Sequence, residues 1–216
     1  MSAIRLVLVG FALVMLASCY AGATPTSTRT PVLPTSLDLQ NVLLTTSDLP
    51  SGWSVRSTAD RNSLSTPPCD ADLPPPRHVE ATVIFQQPDA GLQLFETIAA
   101  FDSGTAKQWM AAMQQNTDCK QTRDVSIQGT PETVTSEIVP LSINTMGEQM
   151  LALRVRGVTT DQGGKTRDTE SGDTDLVYVR VGDFVVQIWN YRVSNADAVP
   201  TTLIVEKAVD KLKSSG

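Results

Sequence analysis

Apolar residues along the chain recur with a helical period in some stretches and on every second position in others. Leu39, Val42 and Leu43 mark one short helical face over 37–49, which stops at Asp48-Leu49-Pro50 because Pro50 and Gly52 break a helix. Trp53 and Val55 then alternate with Ser54 and Arg56, the pattern of a short strand. Positions 79–86 and 92–101 read as strands that meet at Pro88-Asp89-Ala90-Gly91, a turn sequence, and so predict a hairpin. Ser103 is a candidate N-cap, and Ala106, Trp109, Met110 and Met113 fall on one face of a helix running to about Asn116. That Met and Trp stripe reads as core.

Glu132 to Val139 alternates loosely and ends at Pro140. Over 149–158, Leu151, Leu153 and Val155 share one face and Arg154 and Arg156 the other, as in a half-buried antiparallel strand. Positions 176–181 and 184–193 form a strand pair around Gly182-Asp183, which suits a two-residue hairpin turn. Val205, Ala208, Val209 and Leu212 give the apolar face of a closing helix. Pro200 stands near its start, and Lys207, Lys211 and Lys213 lie toward the end where cations complement the helix dipole. Parallel βαβ alternation is missing. The pattern predicts an α+β fold, a single domain with an antiparallel sheet and helices packed on one face.

Ahead of this domain, Arg5 is followed by an uncharged apolar run from Leu6 to Ala17, then by the small residues Ala17 and Ser18 and by Cys19. These are the parts of a secretory signal. The run is too short to span a bilayer comfortably, which takes ~20 residues. Leu16-Ala17-Ser18-Cys19 resembles the lipobox of bacterial lipoproteins, in which the cysteine takes a diacylglycerol and the chain is cut before it. The resemblance implies a signal peptide over 1–18 and a lipidated Cys19 carrying acyl chains such as palmitate. Multiple acyl chains anchor far more firmly than one, at ~0.8 kcal/mol per buried CH2. An ordinary signal with an incidental Cys19 is the other reading. From Ala21 to Ser36 the residues are mostly Thr, Ser, Pro, Ala and Gly with Arg29 as the one charge, so 19–36 reads as a lipidated cysteine and flexible tether. About 180 residues remain, 37–216, enough for one domain able to bury roughly 70% of its unfolded surface. The expected location is outside the cytoplasm, held to the cell membrane by lipid.

The 216-residue chain has 17 basic and 23 acidic residues; losing the signal removes only Arg5 and leaves a net charge of −7. An acidic domain argues against nucleic acid and against an anionic membrane surface as partners, leaving the N-terminal lipid as the expected membrane contact. With Cys19 assigned to lipid, Cys69 and Cys119 remain, and in an oxidising compartment they most simply form a disulfide. Two free thiols is the alternative. The long loop closed would be worth roughly 4 kcal/mol in chain entropy. The bridge would restrain the irregular stretch 57–77, which holds Pro67-Pro68-Cys69 and Pro74-Pro75-Pro76.

Candidate chemistry is sparse. His78, the one histidine, follows Pro74-Pro75-Pro76-Arg77, and no nucleophile-elbow motif accompanies it, so a solvent-exposed loop histidine is expected. Asp161, Asp168, Glu170, Asp173 and Asp175 gather among glycines, but not at calcium-loop spacing, and Lys165 and Arg167 interrupt them. A solvated hairpin loop is expected there. No catalytic residue, metal site or cofactor is nominated, although paired carboxylates distant in sequence leave an exported hydrolase as a third possibility. Trp189 and Tyr191 share one strand face, opposite Phe184, Val186 and Ile188, and are the candidate ligand surface.

Leu43-Leu44, then Asp48-Leu49-Pro50-Ser51-Gly52-Trp53, Pro68-Cys69, a strand feeding Ala106 to Cys119, and a closing strand pair and helix resemble the sensor-like domains of actinobacterial lipoproteins. More distantly, the arrangement is similar to the external sensor domain of PknH-type receptor kinases. The likeness covers nearly all of 37–216. It implies an α+β domain with a ligand-receiving groove and, in the kinases, two disulfides where this chain has cysteines for one beyond Cys19. No kinase portion is recognised, so signalling would pass through a partner. The expectation is a non-enzymatic binding or sensor-like domain for a small molecule or envelope component. A protein-interaction accessory lipoprotein, with Trp189 and Tyr191 as its patch, is the alternative.

Overall fold

The computed structural model describes residues 33–59, 64, 76–115, 117, 120–127, 130–161, 166–167, 173–192 and 199–215. The expected signal, Cys19 and most of the tether lie outside the described residues, as do Cys69 and Cys119. Pro31–Gly216 forms one unit.

The chain opens with α1 (Ser36–Gln40) and a 3-10 turn (Thr46–Asp48), followed by β1 (Ser54–Ala59), β2 (His78–Gln87) and β3 (Leu92–Phe101). Helix α2 (Thr105–Gln114) leads to β4 (Lys120–Ile127), β5 (Thr130–Pro140), β6 (Gln149–Asp161) and the short β7 (Thr166–Arg167). Strands β8 (Asp173–Val181) and β9 (Phe184–Arg192) and helix α3 (Thr201–Ser214) complete it. Among the described residues nine strands make one sheet in the order β1-β2-β3-β9-β8-β6-β5-β4, with β7 added to β6. Every pairing is antiparallel. Two meanders therefore meet where β3 pairs β9.

The α+β class, antiparallel sheet and single domain match the sequence reading, but the helices do not share one face. Ala81, Val83, Phe85, Leu94, Ile98, Val177, Val179, Val186 and Ile188 form a core with α1 and α3. Their strand neighbours Ala99, Phe101, Leu176, Tyr178 and Val185 form a second core with α2. Because successive strand residues point to opposite faces, the two cores lie on opposite sides of the sheet. The central strands are apolar at consecutive positions, Ile98 to Phe101 and Leu176 to Val179, so both faces need cover.

Three local departures have physical causes. The single helix expected over 37–49 is split, because the Leu44 amide donates to Glu96 in the sheet and Thr45 caps the following 3-10 turn through Asp48. Helix α2 begins after Gly104, at φ +75°, rather than on a Ser103 cap; the Gly104 amide donates to Asp183 Oδ1 at 2.9 Å. Strand β4 was not expected, since Lys-Gln-Thr-Arg-Asp-Val-Ser-Ile carries too few apolar residues to announce itself. It lies at a sheet edge, where a polar sequence discourages pairing with other chains.

Candidate functional site

A groove of about 630 Å3 opens between α1, the end of α3 and the β8–β9 turn. Its apolar lining is Leu39 from α1, Val42 from the turn just after it, Val181 and Phe184 from the hairpin, and Leu212 from α3. The fold places each of them. Leu39 of α1 and Val42 just beyond it are both buried against the sheet, Leu212 continues the buried stripe Ile204, Val205, Ala208 and Val209, and Val181 pairs with Phe184 across the turn. Pro34 and Phe184 also border a neighbouring hollow of about 170 Å3, together with Leu33.

Asp38, Glu148 and Lys213 stand around the apolar lining. Asp38 closes a capping box with Thr35, accepting its hydroxyl at 2.7 Å and its amide at 2.9 Å, and these bonds lower its pKa. Glu148 follows Gly147, whose φ of +66° turns the chain into β6. Its Oε1 accepts the Gly182 amide at 2.9 Å, the first cause of its lowered pKa, and its other oxygen pairs with Arg180. Both acids are ionised at neutral pH. Lys213 is exposed and makes no ion pair among the described residues. An apolar trough edged by fixed charges suits a ligand with a hydrocarbon body and a polar end.

The α1 wall is fastened from behind. Leu44 N–H donates to Glu96 Oε2 at 2.6 Å, Lys211 Nζ donates to Leu43 O at 2.6 Å and to Asp48 Oδ2 at 3.0 Å, and Lys207 Nζ donates to Asp48 O at 2.6 Å. Desolvation of Asp48 is outweighed by the Thr45 amide and Lys211, so its pKa is lowered. Glu96 is wholly buried, and desolvation pushes its carboxyl up to about 8.

Trp189 and Tyr191 do share a strand face, as the alternation indicated, but it is the α2 side of the sheet and the far end of β9 from the groove. Both are half-buried; Trp189 sits 6.5 Å from the Phe95 ring, and its indole N–H is buried without an acceptor among the described residues. The structure does not bring this pair to the groove.

His78 is not an exposed loop residue. It starts β2 with its ring against Phe101 at 5.3 Å, and its side chain is 7% exposed. Nε2 lies 2.9 Å from Glu80 Oε2 and Nδ1 lies 2.7 Å from Pro76 O; the bond to Glu80 is the first cause of a raised pKa. Glu80 in turn accepts the Leu64 amide at 3.2 Å. Nor is the Asp161–Asp175 stretch all loop: Asp173 opens β8, and Asp175 is buried between Arg154 and Arg192. Asp168 and Glu170 lie outside the described residues. Among the described residues no three His, Cys, Asp or Glu side chains gather as a metal site would require.

Sequence reasoning missed the groove and Glu96. Glu96 nevertheless interrupts the in-phase series Leu92, Leu94, Ile98 and Ala100, so its inward direction was readable from alternation.

No family model matches the sequence, and no curated protein matches it. Among solved structures, the extracellular domain of PknH from Mycobacterium tuberculosis is similar, with a TM-score of 0.50 at 12% identity, over 85% of this chain and 97% of that one. The resemblance read from the sequence therefore holds at the level of the fold.

Proposed function

We propose that this chain is a non-catalytic, lipid-anchored extracytoplasmic domain that binds an amphiphilic envelope component in the groove between α1, α3 and the β8–β9 turn. The observation that carries the reading is the groove itself: five apolar side chains from three elements face a hollow of about 630 Å3, within the size range of ligand sites. The Leu16-Ala17-Ser18-Cys19 sequence supports export and lipidation, and the acidic charge supports a domain that meets the membrane only through that lipid. The similar PknH structure is of an extracellular domain, which agrees with this location.

The test uses the exported, mature chain and a fluorescent fatty acid as probe. Saturable one-to-one binding that is lost in Phe184→Asp and retained in Trp189→Ala supports the reading. An absence of binding, or binding that Phe184→Asp leaves unchanged, overturns it. Binding lost only in Trp189→Ala moves the ligand surface to the opposite sheet face.

A further inference from the structure

Glu96 is the one carboxyl among the described residues that is wholly buried with an oxygen, Oε1, lacking any hydrogen-bond partner. Its other oxygen holds the Leu44 amide. On the sheet its lateral neighbours are Val83 of β2 and Ile188 of β9, and along its own strand Leu94 and Ile98 point the same way. None of these can solvate a charge. The charged groups that face it come from the other side: Lys211 of α3 and Asp48 of the 3-10 turn, both already engaged in fastening the Leu43–Asp48 segment, which Lys207 of α3 also holds through Asp48 O. That segment is a short stretch ending in one 3-10 turn, whereas Glu96 is flanked within the sheet by hydrogen-bonded strands on both sides.

We propose that Glu96 and the Leu43–Asp48 segment form a proton-controlled latch, closed over neutral Glu96 and opened by its ionisation. In the closed state the carboxyl keeps its proton, because a buried carboxylate with an unpaired oxygen is strongly disfavoured. In the open state water and Lys211 reach Oε1, and the group ionises as an ordinary carboxylic acid does. Opening therefore releases a proton, and linkage makes the open population rise up to tenfold per pH unit from the ordinary carboxylate range until the closed-state carboxyl itself ionises. Leu39 and Val42, immediately before the latch, line the groove, so opening loosens one of its walls. The latch stands on the Leu44–Glu96 contact and does not depend on what the groove binds.

The experiment is hydrogen exchange at the Leu44 amide of the mature chain between pH 5 and 8, corrected for the intrinsic pH dependence of exchange. Protection is expected to fall by more than tenfold across that range in the native chain and to stay flat in Glu96→Gln, which keeps an acceptor but cannot ionise. A carbon-13 titration of the Glu96 carboxyl in the native chain stands independently of whether the variant folds. Titration above pH 6.5 supports the latch. Titration in the ordinary carboxylate range, flat Leu44 protection in the native chain, or an equal pH slope in Glu96→Gln overturns it. Fluorescent fatty-acid binding measured alongside separates the two proposals: failure of the probe to bind leaves the exchange result unchanged.

Discussion

Thr201 donates its hydroxyl to Asp175 Oδ2 at 2.5 Å, tying the first residue of α3 to strand β8. Asn190 Nδ2 donates to the same hydroxyl at 2.9 Å and to Val199 O at 3.1 Å, while Arg154 Nε and Arg192 reach Asp175 Oδ1 at 2.7 and 3.3 Å. The start of α3 has no side-chain cap of its own. The network instead anchors this end through the Thr201 side chain, and so fixes the helix whose far end forms a wall of the groove.

Removing the carboxylate should therefore cost more than removing the hydroxyl. Asp175→Ala is expected to lower the unfolding free energy by about 3 kcal/mol, because Arg154 and Arg192 lose their counter-charge and the buried Thr201 hydroxyl loses its acceptor. Arg154 and Arg192 are partly exposed and recover some hydration, which keeps the loss from being larger. Thr201→Val is expected to cost about 1 kcal/mol. Urea unfolding of the two variants checks both values; equal losses would mean that Asp175 matters to α3 only through Thr201.

The pH dependence of stability follows from groups shifted in opposite directions. Glu96 has a raised pKa, so the folded state holds a proton that the unfolded state releases; stability falls as pH rises from about 4.5 to about 8 and then levels. His78 is also raised, chiefly by Glu80, and its contribution is present below its unfolded value and lost as pH climbs through the folded one. Asp38, Asp48 and Glu148 are lowered, so their contributions are lost as pH falls through their folded values. Stability should peak in mildly acidic solution. Thermal unfolding from pH 4 to 9 is expected to show that maximum, and Glu96→Gln should remove most of the alkaline limb while His78→Gln removes less. A maximum above pH 8 would contradict these assignments.

Alternation made much of this architecture readable. The hairpin of β2 and β3, the β8–β9 pair around Gly182-Asp183 and the buried stripe of α2 all come from period-two or helical spacing, which reports burial directly. The two buried acids were missed, Asp175 being assigned to a solvated loop, although Glu96 and Asp175 occupy positions in phase with buried apolar neighbours. What phase could not show is which distant partner meets each acid: Leu44 lies 52 residues from Glu96. The groove was hidden for the same reason, because its walls come from α1, the β8–β9 turn and the end of α3. The splitting of the first helix depended on a single long-range hydrogen bond that no local pattern encodes.

Gly147 and Gly104 both adopt left-handed backbone, at φ +66° and +75°, yet they should respond differently to a methyl group. A Cβ at Gly104 meets nothing within 4 Å, so Gly104→Ala carries only the conformational cost, about 1 kcal/mol. A Cβ at Gly147 collides with the carbonyl oxygen of Arg180 and with Val179 Cγ1, and the backbone there is held by Glu148 N–H donating to that same carbonyl at 2.9 Å. Relief requires β6 and β8 to separate at the groove, which adds to the backbone strain and brings the expected loss to about 3 kcal/mol. Glu148 would move with the displaced backbone and lose the Gly182 amide that lowers its pKa. Gly147→Ala is therefore expected to weaken fluorescent fatty-acid binding as well as stability, while Gly104→Ala weakens stability alone. Urea unfolding and probe titration on the two variants make the comparison, and equal losses in both would show that the contact with Arg180 yields without disturbing the groove.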